Sequence, residues 1–360
     1  MVNIGIVGVG LVGSELLNQL KATGAKRLKV VGLTSSKKMV MSNDYAVLDL
    51  TNWKTDLANG VPSDLDAFAK YIAQSPEHGV IVDCTASDAV AKLYPAWLKA
   101  GISVVTPNKK GFSGDLSLYK EIKSLAANMG GSGRVPLAYH ESTVGAGLPI
   151  LATLNDLVKT GDKIHQIEGT FSGTLSYLFN NFSSLTSESG KSFSEIVKVA
   201  KELGYTEPDP RDDMNGMDVA RKVTICGRLA GLDLDLSTLP VENIVPEPLQ
   251  NIASAEEFMT RLPEFDDHFA KLNEEAKKEG KVLRYVGLVD LKGGNSSVKL
   301  MKYPASHPFG SLQGSDNMIK FNTEYFPNGL IIQGAGAGSA VTAFGIYSDL
   351  LKIQERVEGF

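Results

Sequence analysis

The run Val2-Asn3-Ile4-Gly5-Ile6-Val7 reads as a strand and opens directly onto Gly8-Val9-Gly10-Leu11-Val12-Gly13, where a helical apolar repeat begins, Leu11 to Ala22. A glycine turn caught between strand and helix limits what the chain can fold into. Gly8 allows the tight turn, Gly10 leaves the backbone bare for a pyrophosphate, and Gly13 lets helix and strand pack closely. The exposed amides and positive end of the helix then face the phosphates. The expected site therefore takes a dinucleotide on Gly8, Val9, Gly10, Leu11 and Gly13.

The rhythm continues with strands expected at 28–34, 80–85, 102–106 and 135–139, separated by helical patterns at Leu65–Ala73, Ala89–Ala100 and Leu116–Ala127. Continuous β-branched strands alternating with helices imply an α/β, doubly wound parallel sheet covered on both faces. The second strand ends Thr34-Ser35-Ser36-Lys37-Lys38 without the Asp or Glu that usually binds an adenosine 2′-hydroxyl. Hydroxyls and lysines suit a 2′-phosphate, so NADP(H) is favoured and NAD(H) is the other possibility.

After about Glu141 the pattern changes. A helix is expected over Leu148–Val158, then a strand into a glycine turn, IHQIEGTFSG, and helices at Thr174–Phe182, Phe193–Leu203 and Gly216–Leu229. Between the last two, TEPDPRDDMNG holds two prolines and four carboxylates and is read as a loop. Strand patterns return from 281, giving an antiparallel or mixed sheet, and a last helix follows GAGAG. The charged stretch 254–280 is read as a solvated helical connector. The expected organisation is a dinucleotide-binding domain over 1–150 plus 339–360, with an α+β catalytic and dimerisation domain over 151–338.

Composition sets the function classes aside. With 360 residues, 43% apolar, 21% charged and a formal charge of −5, the chain has no basic bias towards nucleic acid. No apolar run is long enough for a membrane span, and no leader pattern precedes the first strand, so a cytoplasmic protein is expected. Cys84 and Cys226 have neither disulfide-framework nor zinc-site spacing.

Reduction of a carbonyl needs a hydride donor and a proton source. Among five histidines, His78 is read in a polar loop, His165 at a strand start and His268 in the charged helix, while His140 and His307 lack evident orienting partners. The denser chemistry lies at Glu207, Asp209, Asp212 and Asp213, followed by Asp218 and Lys222, which share a helix face at four-residue spacing.

GYTEPDPRDDMNGMDVARK resembles the signature of homoserine dehydrogenases, and TPNKKGF (Thr106–Phe112), HESTVGAGLP (His140–Pro149) and EGTFSGTLSY (Glu168–Tyr177) resemble the family's other landmarks in order. The likeness is nearest to the fungal, monofunctional type without an ACT domain. It implies reversible reduction of L-aspartate 4-semialdehyde to L-homoserine, on the way to threonine and methionine. It implies Lys222 as proton donor, with Lys109 as an alternative or assisting source at the cofactor and substrate cleft. Glu207, Asp218, Asp213, Tyr205, Thr174 and Gly173 would surround the substrate, and Thr85, Lys109, Gly204 and Gly338 would join the cofactor turn. Glu141, Val144, Ala146 and Leu148 match the family's sodium site; a glycine-rich turn with Glu141 capping a helix accounts for them equally. The family also implies a homodimer. Another two-domain amino-acid dehydrogenase would keep the Gly8–Gly13 turn but use the carboxylate loop differently, and a redox-sensing Rossmann protein would leave that loop unexplained.

Overall fold

A computed structural model describes residues 1–24, 26–127, 135–185 and 190–358. The chain divides into two compact units, Met1–Leu151 with Ala337–Phe360, and Ala152–Gly336.

The first unit is built on a seven-stranded sheet of β1 (Val2–Val7), β2 (Leu28–Thr34), β3 (Lys38–Met41), β4 (Val61–Pro62), β5 (His78–Asp83), β6 (Ser103–Val105) and β7 (Ala138–Tyr139), in the order β4-β3-β2-β1-β5-β6-β7. From β2 to β7 all pairings are parallel. The order reverses between β1 and β5, so the carboxyl ends of these two strands form the switch point where open α/β sheets bind ligands. The helix Leu11–Thr23 and the helix Ser339–Glu358 close one core: Leu16, Leu17 and Leu20 meet Ala343, Ile346, Leu350 and Ile353 over Val2, Ile4, Val80 and Val82. The spacing of 343, 346, 350 and 353 keeps those four on one helical face.

The sequence reading missed β3 and β4. They extend the sheet antiparallel at its β2 edge, so Lys38 begins a strand instead of closing a loop. The expected helix over 89–100 is two, Asp88–Ala91 and Tyr94–Lys99, with Pro95 in the first turn of the second, where its missing N–H costs nothing. His78 starts β5, is buried and bonds Ser103 Oγ at 2.8 Å, so it does not lie in a polar loop.

The second unit has five antiparallel strands, β8 (Ile164–Thr170), β9 (Lys281–Asp290), β10 (Ser297–Pro304), β11 (Asn317–Thr323) and β12 (Leu330–Gly334), in the order β10-β9-β8-β11-β12. The helix Met217–Leu229 lies on β9 at Gly287, where an added Cβ would come within 2.5 Å of Val223 Cγ2. The charged stretch 254–280 is no solvated connector. Its helices Ala255–Arg261 and Asp266–Lys278 bury Phe258, Phe269 and Ala276, and Phe269 stacks on Phe193 with ring centroids 3.9 Å apart. A strongly polar average had hidden a narrow apolar face. The loop after Tyr205 also holds one helical turn, Arg211–Met214, which Pro210 starts from its N-cap position.

Candidate functional site

At the switch point Gly8 takes a φ of +88°, and a Cβ there would strike Thr85 Cγ2 at 2.6 Å. Gly13 faces the Gly8 carbonyl, which a Cβ would meet at 2.5 Å, whereas a Cβ on Gly10 would meet nothing within 4 Å. Gly8 and Gly13 are thus required by the protein's own backbone and Gly10 is not. Bare backbone at the amino end of a helix, flanked by half-buried Val9 and exposed Leu11, fits a dinucleotide pyrophosphate. Thr85 sits against this turn because Cys84 N donates to Val7 O at 2.8 Å, continuing the strand pairing. Gly338 lies ahead of the last helix with a φ of +109°.

Lys38 Nζ donates to Gly60 O at 2.9 Å, and Lys38 N donates to Ser35 Oγ at 3.1 Å. Lys37 is exposed on the same hairpin. No carboxylate ends β2.

One buried group that the sequence reading passed over is Asp83, the last residue of β5. Its Oδ1 accepts from Thr85 N at 2.8 Å; its Oδ2 accepts from the Tyr94 hydroxyl and from Asn108 Nδ2, the latter at 2.9 Å. Burial pushes its carboxyl above the usual range, and the donors oppose this. Asn108 immediately precedes Lys109, which is half-buried at the start of the short helix Lys110–Ser113. Nothing local in the sequence marks Asp83, since its partners lie on later turns.

In the second unit the carboxylate loop and two helices meet. Lys222 is 7% exposed, and its Nζ donates to Phe171 O at 2.7 Å and pairs with Asp218 Oδ2 at 2.7 Å. Asn317 Nδ2 donates to the same Phe171 carbonyl at 3.0 Å. Three residues on, the Thr174 hydroxyl lies 2.6 Å from Tyr205 O and 2.9 Å from Asp213 Oδ1, while Glu207 N donates to Asp213 Oδ2 at 2.8 Å. Burial holds the Asp213 carboxyl above the ordinary range, and the charges of Glu207 and Asp218 push it the same way. Asp213 thus lies near two further carboxylates, one of which, Asp218, pairs with the buried Lys222 ammonium. Tyr205 stacks on Tyr177 with centroids 4.5 Å apart, and Gly173 begins the helix that Ser172 caps through Leu175 N. Gly204, expected at the cofactor, is exposed in this unit with a φ of +74°. The residues expected at the substrate therefore converge, and Gly204 stands on the loop leading into them.

The Glu141–Leu148 turn contains two consecutive left-handed residues, Gly145 and Ala146, the latter at φ +53°. The Glu141 carboxylate accepts from Leu151 N at 2.6 Å and faces Lys352 Nζ at 3.5 Å. It caps the helix Ile150–Lys159 and pairs with an ammonium, so its oxygens do not fit a cation's ligand set. Val144 N donates to Glu141 O at 3.2 Å, and Leu148 O accepts from Ile150 N at 2.8 Å. Among the described residues no group of His, Cys, Asp and Glu is arranged for a metal ion, and both cysteines are thiols. His140 and His307 do have orienting partners. His140 stacks on Phe112 and reaches Thr143 Oγ1 at 3.1 Å; His307 Nδ1 accepts from Phe309 N at 3.2 Å.

Comparison with known proteins covers both units. Residues 8–136 match the family described as "Homoserine dehydrogenase, NAD binding domain", and residues 149–351 match "Homoserine dehydrogenase". The homoserine dehydrogenase of Schizosaccharomyces pombe is 48% identical over 99% of this chain and 96% of its own length. That of Saccharomyces cerevisiae is 45% identical over 99% of each. The crystal structure of a Candida auris protein of unknown function has a TM-score of 0.91 at 48% identity, covering 99% of this chain and 98% of that one. Both family matches fall in order along one chain, on a fold whose glycine turn fits a dinucleotide, and the identity holds from end to end of the yeast enzymes: the chain belongs to the homoserine dehydrogenase family and is an NAD(P)-dependent oxidoreductase.

Proposed function

We propose that Lys222 delivers the proton in the reduction of L-aspartate 4-semialdehyde to L-homoserine, and that Glu207, Asp213 and Asp218 hold the substrate's α-ammonium. The observation that carries this reading is the buried Lys222 ammonium, oriented by Phe171 O and Asp218. When bound, the reduced dinucleotide supplies the hydride. As the carbonyl carbon is reduced, its oxygen takes on negative charge, and an ammonium fixed in a poorly hydrated site stabilises that charge and then gives up its proton. Asp218 holds the lysine in place beforehand. Thr174, Gly173 and Tyr205 shape the pocket around the carboxylates, with the Thr174 hydroxyl bracing Asp213 and the Tyr205 carbonyl.

The cofactor rests on Gly8, Val9, Gly10, Leu11 and Gly13 of the first unit, with Thr85, Lys109 and Gly338. Lys109 serves as an assisting proton source. NADP(H) is preferred, with Lys37 as the reader of the 2′-phosphate because the Lys38 ammonium already bonds Gly60 O. A sodium ion at the 141–148 turn would rest on backbone carbonyls of Glu141, Val144, Ala146 and Leu148, since the Glu141 carboxylate is engaged; no step depends on it. The catalytic and dimerisation domain is 151–338. A homodimer is supported by the sheet of the second unit, where Ile331 is exposed and Leu288 half-buried on the face opposite Gly287 and Val289. No helix among the described residues is long and apolar enough to cross a membrane. The reading is tested by steady-state reduction of aspartate semialdehyde with Lys222→Ala. Loss of most kcat with intact NADPH binding is expected, and near-normal turnover would move the proton to another donor.

A further inference from the structure

We propose that Asp83 is a positioning residue whose buried carboxylate ties the Thr85 turn and the Asn108–Lys110 turn into one frame, and so fixes where Lys109 is presented. The proposal rests on the reading of Lys109 as a group that assists the reaction. Asp83 has no exposed surface, and neither does Tyr94, whose hydroxyl donates to it. Its two oxygens take three donors from three separate segments: Thr85 N, the Tyr94 hydroxyl and Asn108 Nδ2.

The frame then closes on itself. Thr106 Oγ1 donates to the Asp83 backbone carbonyl at 2.7 Å and accepts from Asn108 N at 2.9 Å. Asn108 Nδ2 also donates to Ser87 O at 2.9 Å, and Asn108 Oδ1 accepts from Lys110 N at 3.1 Å. Lys109 is therefore held on both sides by neighbours whose backbone amides are fixed, at Asn108 and at Lys110.

The choice of a carboxylate needs explaining, because burying a charge is costly and an apolar side chain would fill the space with less desolvation. An apolar side chain could not orient three donors. An asparagine would turn an NH2 group towards at least one of them and break the frame at that point. Only an acceptor on both oxygens satisfies Thr85, Tyr94 and Asn108 together. The arrangement also couples the segment carrying Thr85, beside the glycine turn, to the one carrying Lys109, although 24 positions separate the two in sequence.

The test compares Asp83→Asn and Tyr94→Phe with the intact enzyme, each alone and combined with Lys109→Ala. Tyr94→Phe keeps the ring against Trp97 and Phe112 and removes one donor, which preserves the test if Asp83→Asn folds poorly. Asp83→Asn should lower kcat about tenfold or more and Tyr94→Phe by less, yet either change should alter kcat less than about twofold once Lys109 is already Ala, as expected for residues acting through one another. Native-state trypsin cleavage after Lys109 or Lys110, followed by mass spectrometry, should quicken several-fold in both variants. Effects that multiply with that of Lys109→Ala would overturn the claim that Asp83 acts through Lys109, and unchanged cleavage would overturn the frame itself. Normal turnover of Lys109→Ala alone would instead sink the catalytic reading of Lys109, while the cleavage rates still judge whether Asp83 holds the turn.

Discussion

Replacing Lys222 by methionine keeps the length and apolar stem of the side chain and removes only the ammonium. Its effects on rate and on stability should separate widely. On the stability side, the Phe171 carbonyl keeps its bond from Asn317 Nδ2, so that acceptor is not orphaned. The Asp218 side chain is 45% exposed and can turn to water, which reduces the lost ion pair to about 0–1 kcal/mol after screening. The lost hydrogen bond to Phe171 O adds about 1 kcal/mol, partly offset because an ammonium no longer has to be buried. Those losses total about 1–2 kcal/mol before the offset, so the net destabilisation should be no more than about 1 kcal/mol. On the rate side, a positioned general acid contributes about 10²–10⁴-fold, which is about 3–5 kcal/mol of barrier. The assay is NADPH oxidation by aspartate semialdehyde at saturating cofactor, beside a denaturant melt of the same preparation. A kcat reduced by at least about a hundredfold with the melt nearly unmoved supports the proton-donor role. The reasoning fails if kcat survives within a few-fold, or if the rate falls only as far as the folded fraction does.

Glu207→Gln should chiefly raise the KM for homoserine, with little change in cofactor affinity or melting temperature, because Glu207 is exposed and only its backbone N–H braces Asp213; a melt shifted without any change in KM would make it a loop brace. Lys37→Ala should raise the KM for NADPH more than that for NADH, whereas Lys38→Ala should mainly loosen the β3 edge by removing its bond to Gly60 O, a contrast checked by running both cofactors on both variants. Asp213→Asn should gain stability relative to the wild type as pH rises from about 4 to 7. The folded Asp213 carboxyl titrates above its ordinary value of 3.8, so the native state binds the proton more tightly than the unfolded chain does. Its stabilising contribution at low pH is lost as pH climbs from the unfolded value through the raised one, and asparagine does not titrate. Paired urea titrations at the two ends of that range check the sign, and a stability difference that moves the other way would refute it.

The features legible in the sequence were those whose cause is local. Gly8 is demanded by its own positive φ and Gly13 by the Gly8 carbonyl, both within one strand-turn-helix, so position alone identified them, and the pairing of Asp218 with Lys222 follows from one turn of helix. The four-residue strand Lys38–Met41 was hidden because it follows a Ser-Ser-Lys turn and owes its existence to pairing with β2 and β4. The charged helix Asp266–Lys278 was misread because its burial depends on Phe193, far earlier in the chain. Asp83 escaped notice for the same reason: a carboxylate at a strand end is unremarkable until Tyr94 and Asn108 are folded around it. Glu141 was left with two readings, and it takes the folded positions of Leu151 N and Lys352 to show that its carboxylate serves as a helix cap, which leaves only its backbone carbonyl for a cation.

Because Ala343, Ile346, Leu350 and Ile353 complete the core of the first unit, that core cannot be finished until the helix Ser339–Glu358 has been made. Strand β1 and the glycine turn precede the helix Ser339–Glu358 in synthesis, so the side of Leu16, Leu17 and Leu20 that meets Ala343, Ile346, Leu350 and Ile353 cannot be covered before that helix is made. The second unit, contiguous from Ala152 to Gly336, has all of its strands in hand earlier. The unit that holds the glycine turn is thus the one whose core is completed by residues some three hundred positions later in the chain.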